Sequence, residues 1–248
     1  MSLAARLFCL LFVCFLATPA LGAQTSVAVA ANFSEPAREI AARFKARTGH
    51  DARLSVGSSG QFYAQIANGA PFEVFLSADR ERPEMAEARG LSQSGSRFTY
   101  AIGRLVLFSK TPGLVDGQGA VLRGNRFHKL AVADPKTAPY GLAAYETLDR
   151  LGLRVRLTPK VVQGTSIAQT YQFVESGAAE LGFVALSQVG RTTAGSRWIV
   201  PSSLHTPIEQ QAVLLKRGAG NPAARAFLSF LKSAEAKAII RRYGYEVP

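Results

Sequence analysis

The chain has 248 residues, 48% hydrophobic and 19% charged, a composition that supports one large or two small globular domains with sizeable cores. Its formal charge is +12, yet Lys and Arg are scattered, with no run of four and no basic stripe interleaved with aromatics. That distribution argues against nucleic-acid binding and leaves solubility and weak steering of small anions as the use of the charge.

Residues 1–23 read as a secretory signal peptide. Arg6 supplies the positive start, residues 7–17 form an apolar run too short to span a bilayer as a mature helix, and small residues precede Gln24. Cys9 and Cys14, the only cysteines, fall inside this segment, so disulfides, thiol catalysis and cysteine metal sites are excluded from the exported chain.

From there strand-like and helix-like segments alternate, which predicts an α/β protein with mainly parallel sheets. A first apolar run, Val27 to Ala31, leads into a helix with Pro36 in its first turn and Ile40, Ala41 and Phe44 at helical spacing. A strand at residues 54–56 precedes a short helix marked by Phe62 and Ile66. Residues 72–76 read as a buried strand and residues 80–89 as a charged helix. Residues 98–108 form a long extended run with Gly103 inside it, as suits a segment passing from one lobe to another. The pattern then repeats: strands at 130–133, 160–163 and 181–185, helices at 140–151 and 166–176. Residues 208–215 read as a return crossing, and two helices, 222–231 and 234–242, close the chain. The expected division is lobe 1 at 24–101 plus 209–248 and lobe 2 at 102–208.

At four places an apolar strand ends in an uncharged cluster that opens a helix: Asn32-Phe33-Ser34, Gly57-Ser58-Ser59-Gly60, Ala138-Pro139-Tyr140-Gly141 and Gly164-Thr165-Ser166-Ile167. Each junction leaves backbone N–H groups unpaired at the positive end of a helix dipole. None contains Lys, Arg, His, Asp or Glu, so a ligand there is held by neutral dipoles. This points to binding an anion rather than to chemistry on it.

These loops, with Asn68-Gly-Ala-Pro71, Phe75-Leu-Ser-Ala-Asp79, Gly95-Ser-Arg-Phe-Thr-Tyr-Ala-Ile-Gly103, Leu181-Gly-Phe-Val184 and Arg242-Tyr-Gly244, give the chain from about Thr25 to its end a resemblance to the periplasmic molybdate-binding proteins of ABC transporters. The resemblance implies a two-lobe type II solute-binding fold with two strand crossings between the lobes. It implies a periplasmic, non-enzymatic carrier of molybdate or tungstate that needs no cofactor, acts as a monomer and delivers to an inner-membrane permease. Carried over by position, Asn32, Ser59, Tyr140 and Ile167 form the oxyanion site, Ser59 through hydroxyl and N–H, Tyr140 and Ile167 through their N–H groups. Ala31 and Ser58 stand behind them. At Ala185 one branch of the family places a ligand-binding Tyr, and that donor is missing here.

A fully ionised tetrahedral dianion offers only acceptors, so a donor-only site fits it, whereas a carboxylate in the pocket favours a protonated ion such as phosphate. Glu35 is the one nearby carboxylate, and its spacing from Asn32 predicts a capping box that turns it toward the helix backbone. Three alternatives remain at this stage. Another oxyanion such as sulfate is the first. A serine hydrolase using Ser58 or Ser59 lacks a Gly-x-Ser-x-Gly setting and a nearby His among His50, His128 and His205. A ferric-ion binder would want an adjacent Tyr pair that is absent.

Overall fold

The computed structural model describes residues 22–248, so residues 1–21 of the expected signal lie outside it. Ten strands occur among the described residues: β1 Gln24–Ala30, β2 Asp51–Gly57, β3 Val74–Leu76, β4 Phe98–Gly103, β5 Leu105–Ser109, β6 Leu130–Ala133, β7 Val161–Gly164, β8 Leu181–Ala185, β9 Ser196–Ile199 and β10 Ile208–Leu214. The helices are α1 Ser34–Thr48, α2 Ser59–Ala67, α3 Glu81–Ala88, α4 Pro139–Arg150, α5 Arg154–Leu157, α6 Ile167–Glu175, α7 Leu186–Val189, α8 Pro222–Leu231 and α9 Ala234–Arg242.

The strands form two five-stranded sheets, in the orders β2-β1-β3-β10-β4 and β7-β6-β8-β5-β9. Each sheet pairs three strands in parallel, then one reversed strand, β10 or β5, and beyond it a fifth, β4 or β9, that again runs with the first three. The sheets are thus mixed, but four of the five strands in each run the same way, as the mainly parallel expectation has it. The parallel part comes from strand–helix–strand units, and the reversed strand in each sheet is the one by which the chain enters from the other sheet, β5 after β4 and β10 after β9.

The expected single strand over 98–108 is two strands, because β4 belongs to the first sheet and β5 to the second, with only Arg104 between them. The chain returns between β9 and β10. Gly103 pairs with Ile208 and Ile102 with Glu209, so residues 102–103 and 208, assigned by the sequence reading to the second lobe, belong to the first sheet. β9, α5 and α7 leave no periodic signal in the sequence, being only four residues each.

Each sheet has its own core. α1 turns Ile40 and Phe44 inward and stops at Gly49, whose φ of 73° closes the helix with an N–H bond to Lys45 O. Phe44 meets Phe227 of α8 edge-on, with ring centroids 5.2 Å apart. α8 and α9 thus cover the first sheet although they follow the second in sequence; side chains of Asn221 and Ser233 cap their first turns. The second core gathers Leu107, Phe127, Leu130, Tyr140, Phe183 and Trp198. In each sheet the first strand of the parallel set, β1 or β6, lies between the next two, so the chain reverses its order there and opens a crevice beyond the strand ends. The four uncharged junctions follow β1, β2, β6 and β7.

Candidate functional site

A small cavity of about 10 Å³ lies where these junctions meet, lined by Ala30, Ala31, Asn32, Ser58, Ser59, Ala78, Ala138, Pro139, Tyr140 and Ile167. The structure therefore brings Ala31, Asn32, Ser58, Ser59, Tyr140 and Ile167 from distant parts of the chain to one place. No charged side chain and no histidine is among the lining residues. A wider groove of about 320 Å³ shares Ala78 and Pro139 but is edged by five carboxylates, Asp79, Glu81, Glu84, Glu146 and Glu209, against the single cation Arg80. Carboxylates repel anions, so the small neutral cavity is the anion candidate.

Ser59 is the first residue of α2, where the N–H has no carbonyl one turn back to bond. Its Oγ accepts the Ala78 N–H at 2.9 Å, which leaves the hydroxyl proton free for a ligand. Ser58 precedes it as the cap residue but does not cap with its side chain; its buried Oγ has no protein partner. Tyr140 is the second residue of α4. Pro139 before it has no N–H, so Tyr140 supplies the first donor of that helix. Ile167 opens α6, whose cap Ser166 accepts from Gln169 N, while the Ile167 side chain packs into the second core.

Asn32 lies in a short 3-10 turn, Ala31–Phe33, between β1 and α1. Its Nδ2 donates to Gln210 Oε1 at 2.8 Å and to Tyr245 OH at 2.9 Å, so both amide hydrogens are used within the protein and its backbone N–H is the donor that remains. The expected capping box does not form. Glu35 is exposed, its side chain 58% accessible, and pairs with Arg38 instead of bending over the helix end. The reason is the 3-10 turn, which makes Phe33 rather than Asn32 the residue before α1. Ala185 is fully buried at the end of β8 and does not line the cavity.

Sequence reasoning missed the polar layer around Asn32. Gln210 Nε2 donates to Tyr140 OH at 3.2 Å, Tyr100 OH donates to Gln210 Oε1 at 3.0 Å, and Tyr245 OH and Ser187 Oγ donate to Asn32 O at 2.7 and 2.8 Å. The layer joins strands of the first sheet to α4 and α7 of the second. Burial pushes the Tyr100 and Tyr140 phenols well above their ordinary range and Tyr245 up to about 12, so all three remain neutral donors near pH 7. A signal was available: Gln210 and Gln211 interrupt an apolar strand, and buried polar groups require partners.

Neutral donors enclosed between two similarly built α/β lobes define a binding protein for a small anion. A family described as bacterial extracellular solute-binding protein matches residues 25–246. The molybdate-binding protein ModA of Azotobacter vinelandii is 54% identical over 233 residues, covering 93% of this chain and 92% of the relative. ModA of Rhodobacter capsulatus is 55% identical over 230 residues, covering 93% and 91%. The solved periplasmic molybdate-binding protein of A. vinelandii superposes with a TM-score of 0.88 at 46% identity, covering 90% of this chain and 99% of that one. The chain belongs to the bacterial extracellular solute-binding family, in the group of these molybdate-binding relatives. These relatives are binding proteins, not enzymes.

Proposed function

We propose that the protein captures molybdate, and tungstate with it, between its lobes in the periplasm and delivers it as a monomer to an inner-membrane ABC permease. The observation that carries this reading is the uncharged lining of the cavity, which combines serine hydroxyls with residues that open three helices and has no carboxylate to hold a protonated ion. Ser59, Tyr140 and Ile167 donate through first-turn N–H groups, Ser59 and Ser58 also through hydroxyls, and Asn32 through its backbone, with Ala31 at the wall. Hydrogen bonds to a charged partner contribute about 1.5 to 3 kcal/mol each, so a handful suffices for submicromolar binding without Lys or Arg.

The lobes that close on the ion divide at Arg104 and between β9 and β10, and closure creates the surface that a permease reads. Export through the segment at 1–23 accounts for the periplasmic location; no helix among the described residues is long and apolar enough to cross a membrane. Isothermal titration of the exported protein with molybdate and tungstate, with sulfate and phosphate as competitors, tests the reading. Tight single-site binding that millimolar sulfate does not displace is expected. Equal binding of sulfate would move the cargo to tetrahedral oxyanions in general.

A further inference from the structure

Two hydrogen bonds run directly between the lobes beside the second and third junctions. The N–H of Gly60, second residue of α2, donates to Thr137 O at 2.9 Å. Arg82 Nη2, from the second residue of α3, donates to Lys136 O at 2.8 Å. Lys136 and Thr137 immediately precede Ala138, the residue that caps α4.

Both bonds are braced. Arg82 is paired with Asp79, side chains only 15% and 16% exposed, and the same carboxylate accepts Arg82 N and Ser77 Oγ at 3.0 Å each. Gly60 is at contact: a Cβ there would lie 2.8 Å from Thr137 Cα and 3.1 Å from Arg82 Nη2. The backbone of Thr137 therefore blocks closer approach, and the two hydrogen bonds oppose separation.

We infer that this latch, rather than the ligand, sets the span between Ser59 on one lobe and Tyr140 on the other, making Arg82 a specificity-determining residue although it does not line the cavity. The inference rests on the oxyanion reading of that cavity. Lobes free to slide would settle around an ion of any size and discriminate weakly. A cavity of fixed width leaves a smaller tetrahedral ion with stretched hydrogen bonds, which weaken steeply with distance. Asp79 neutralises Arg82, so the latch adds no net charge that would favour all anions alike.

The test compares wild type with Arg82→Ala, Arg82→Lys and Gly60→Ala by titration with molybdate and, separately, sulfate. Loss of this charge-assisted bond between the lobes should weaken molybdate about tenfold in Arg82→Ala. Sulfate should weaken less, so the preference for molybdate falls; Arg82→Lys should restore part of it. Gly60→Ala, wedging against Thr137, should reduce the preference with Arg82 intact. A purely structural role would weaken both ions by the same factor, and an unchanged preference in Arg82→Ala overturns the inference. If wild type binds no molybdate, the functional reading fails instead. The latch is then judged by the distance between spin labels on cysteines introduced at Gln93 and Gln118, since both native cysteines lie in residues 1–23. Arg82→Ala should broaden and lengthen that distance, and superimposable distributions overturn the latch.

Discussion

Ser58 and Ser59 are neighbours with opposite hydrogen-bond accounts, and replacing each by Ala separates ligand binding from folding. Ser59 Oγ accepts the Ala78 N–H and retains a proton for the ion. Ser59→Ala therefore removes one bond to a dianion, about 1.5 to 3 kcal/mol or roughly 10- to 150-fold in Kd. It also strands a buried N–H, which costs about 1 to 3 kcal/mol of stability. For a chain of this size that lowers Tm by about 2 to 12 °C. Ser58 Oγ is buried with no protein partner, so Ser58→Ala forfeits no internal bond and should leave Tm unchanged or slightly raised. Its molybdate affinity should still drop, by about tenfold, if the hydroxyl meets the ion. Calorimetric titration and thermal melts on both variants decide the matter. Near wild-type molybdate affinity in Ser59→Ala would refute the cavity as the site, and a melting loss in Ser58→Ala equal to that of Ser59→Ala would refute the hydrogen-bond account.

Alkaline stability should reflect the polar layer. Burial raises the Tyr245 phenol from 10.0 to about 12, so its contribution is fully present below pH 10 and is lost as the pH rises through about 12. Denaturant unfolding at pH 9, 10, 11 and 12 should show a steeper decline for wild type than for Tyr245→Phe; parallel curves would contradict this. Phe227→Ala opens a cavity where α8 meets Phe44 and should cost about 3 to 5 kcal/mol in urea unfolding, a loss below 1 kcal/mol being incompatible with the packing described. Gln210→Leu leaves Asn32, Tyr100 and Tyr140 without their shared partner and should weaken molybdate binding as well as stability, although Gln210 does not line the cavity. Unchanged affinity in that variant would detach the polar layer from function.

Elements whose signals are local can be read from the order of residues alone. β6 and β8 and the helices α8 and α9 fall where apolar periodicity, caps and breakers place them, since those forces act within a few residues. The four strand–helix junctions were legible for the same reason: a short uncharged cluster between strand and helix leaves N–H groups without a partner one turn back. Tertiary structure decided what depends on distant partners. The break at Arg104 exists because β4 and β5 join different sheets, which no local pattern records. The same holds for Asn32, whose amide turned away from a capping role because Gln210 and Tyr245, 178 and 213 residues further on, take its hydrogens. Glu35, left without that box, went to the surface with Arg38. The closing contacts of Gly60 and Arg82 with Thr137 and Lys136 belong to the same class. Such contacts are created by the packing of one lobe against the other, and side-chain type and spacing carry no information about them until the lobes meet.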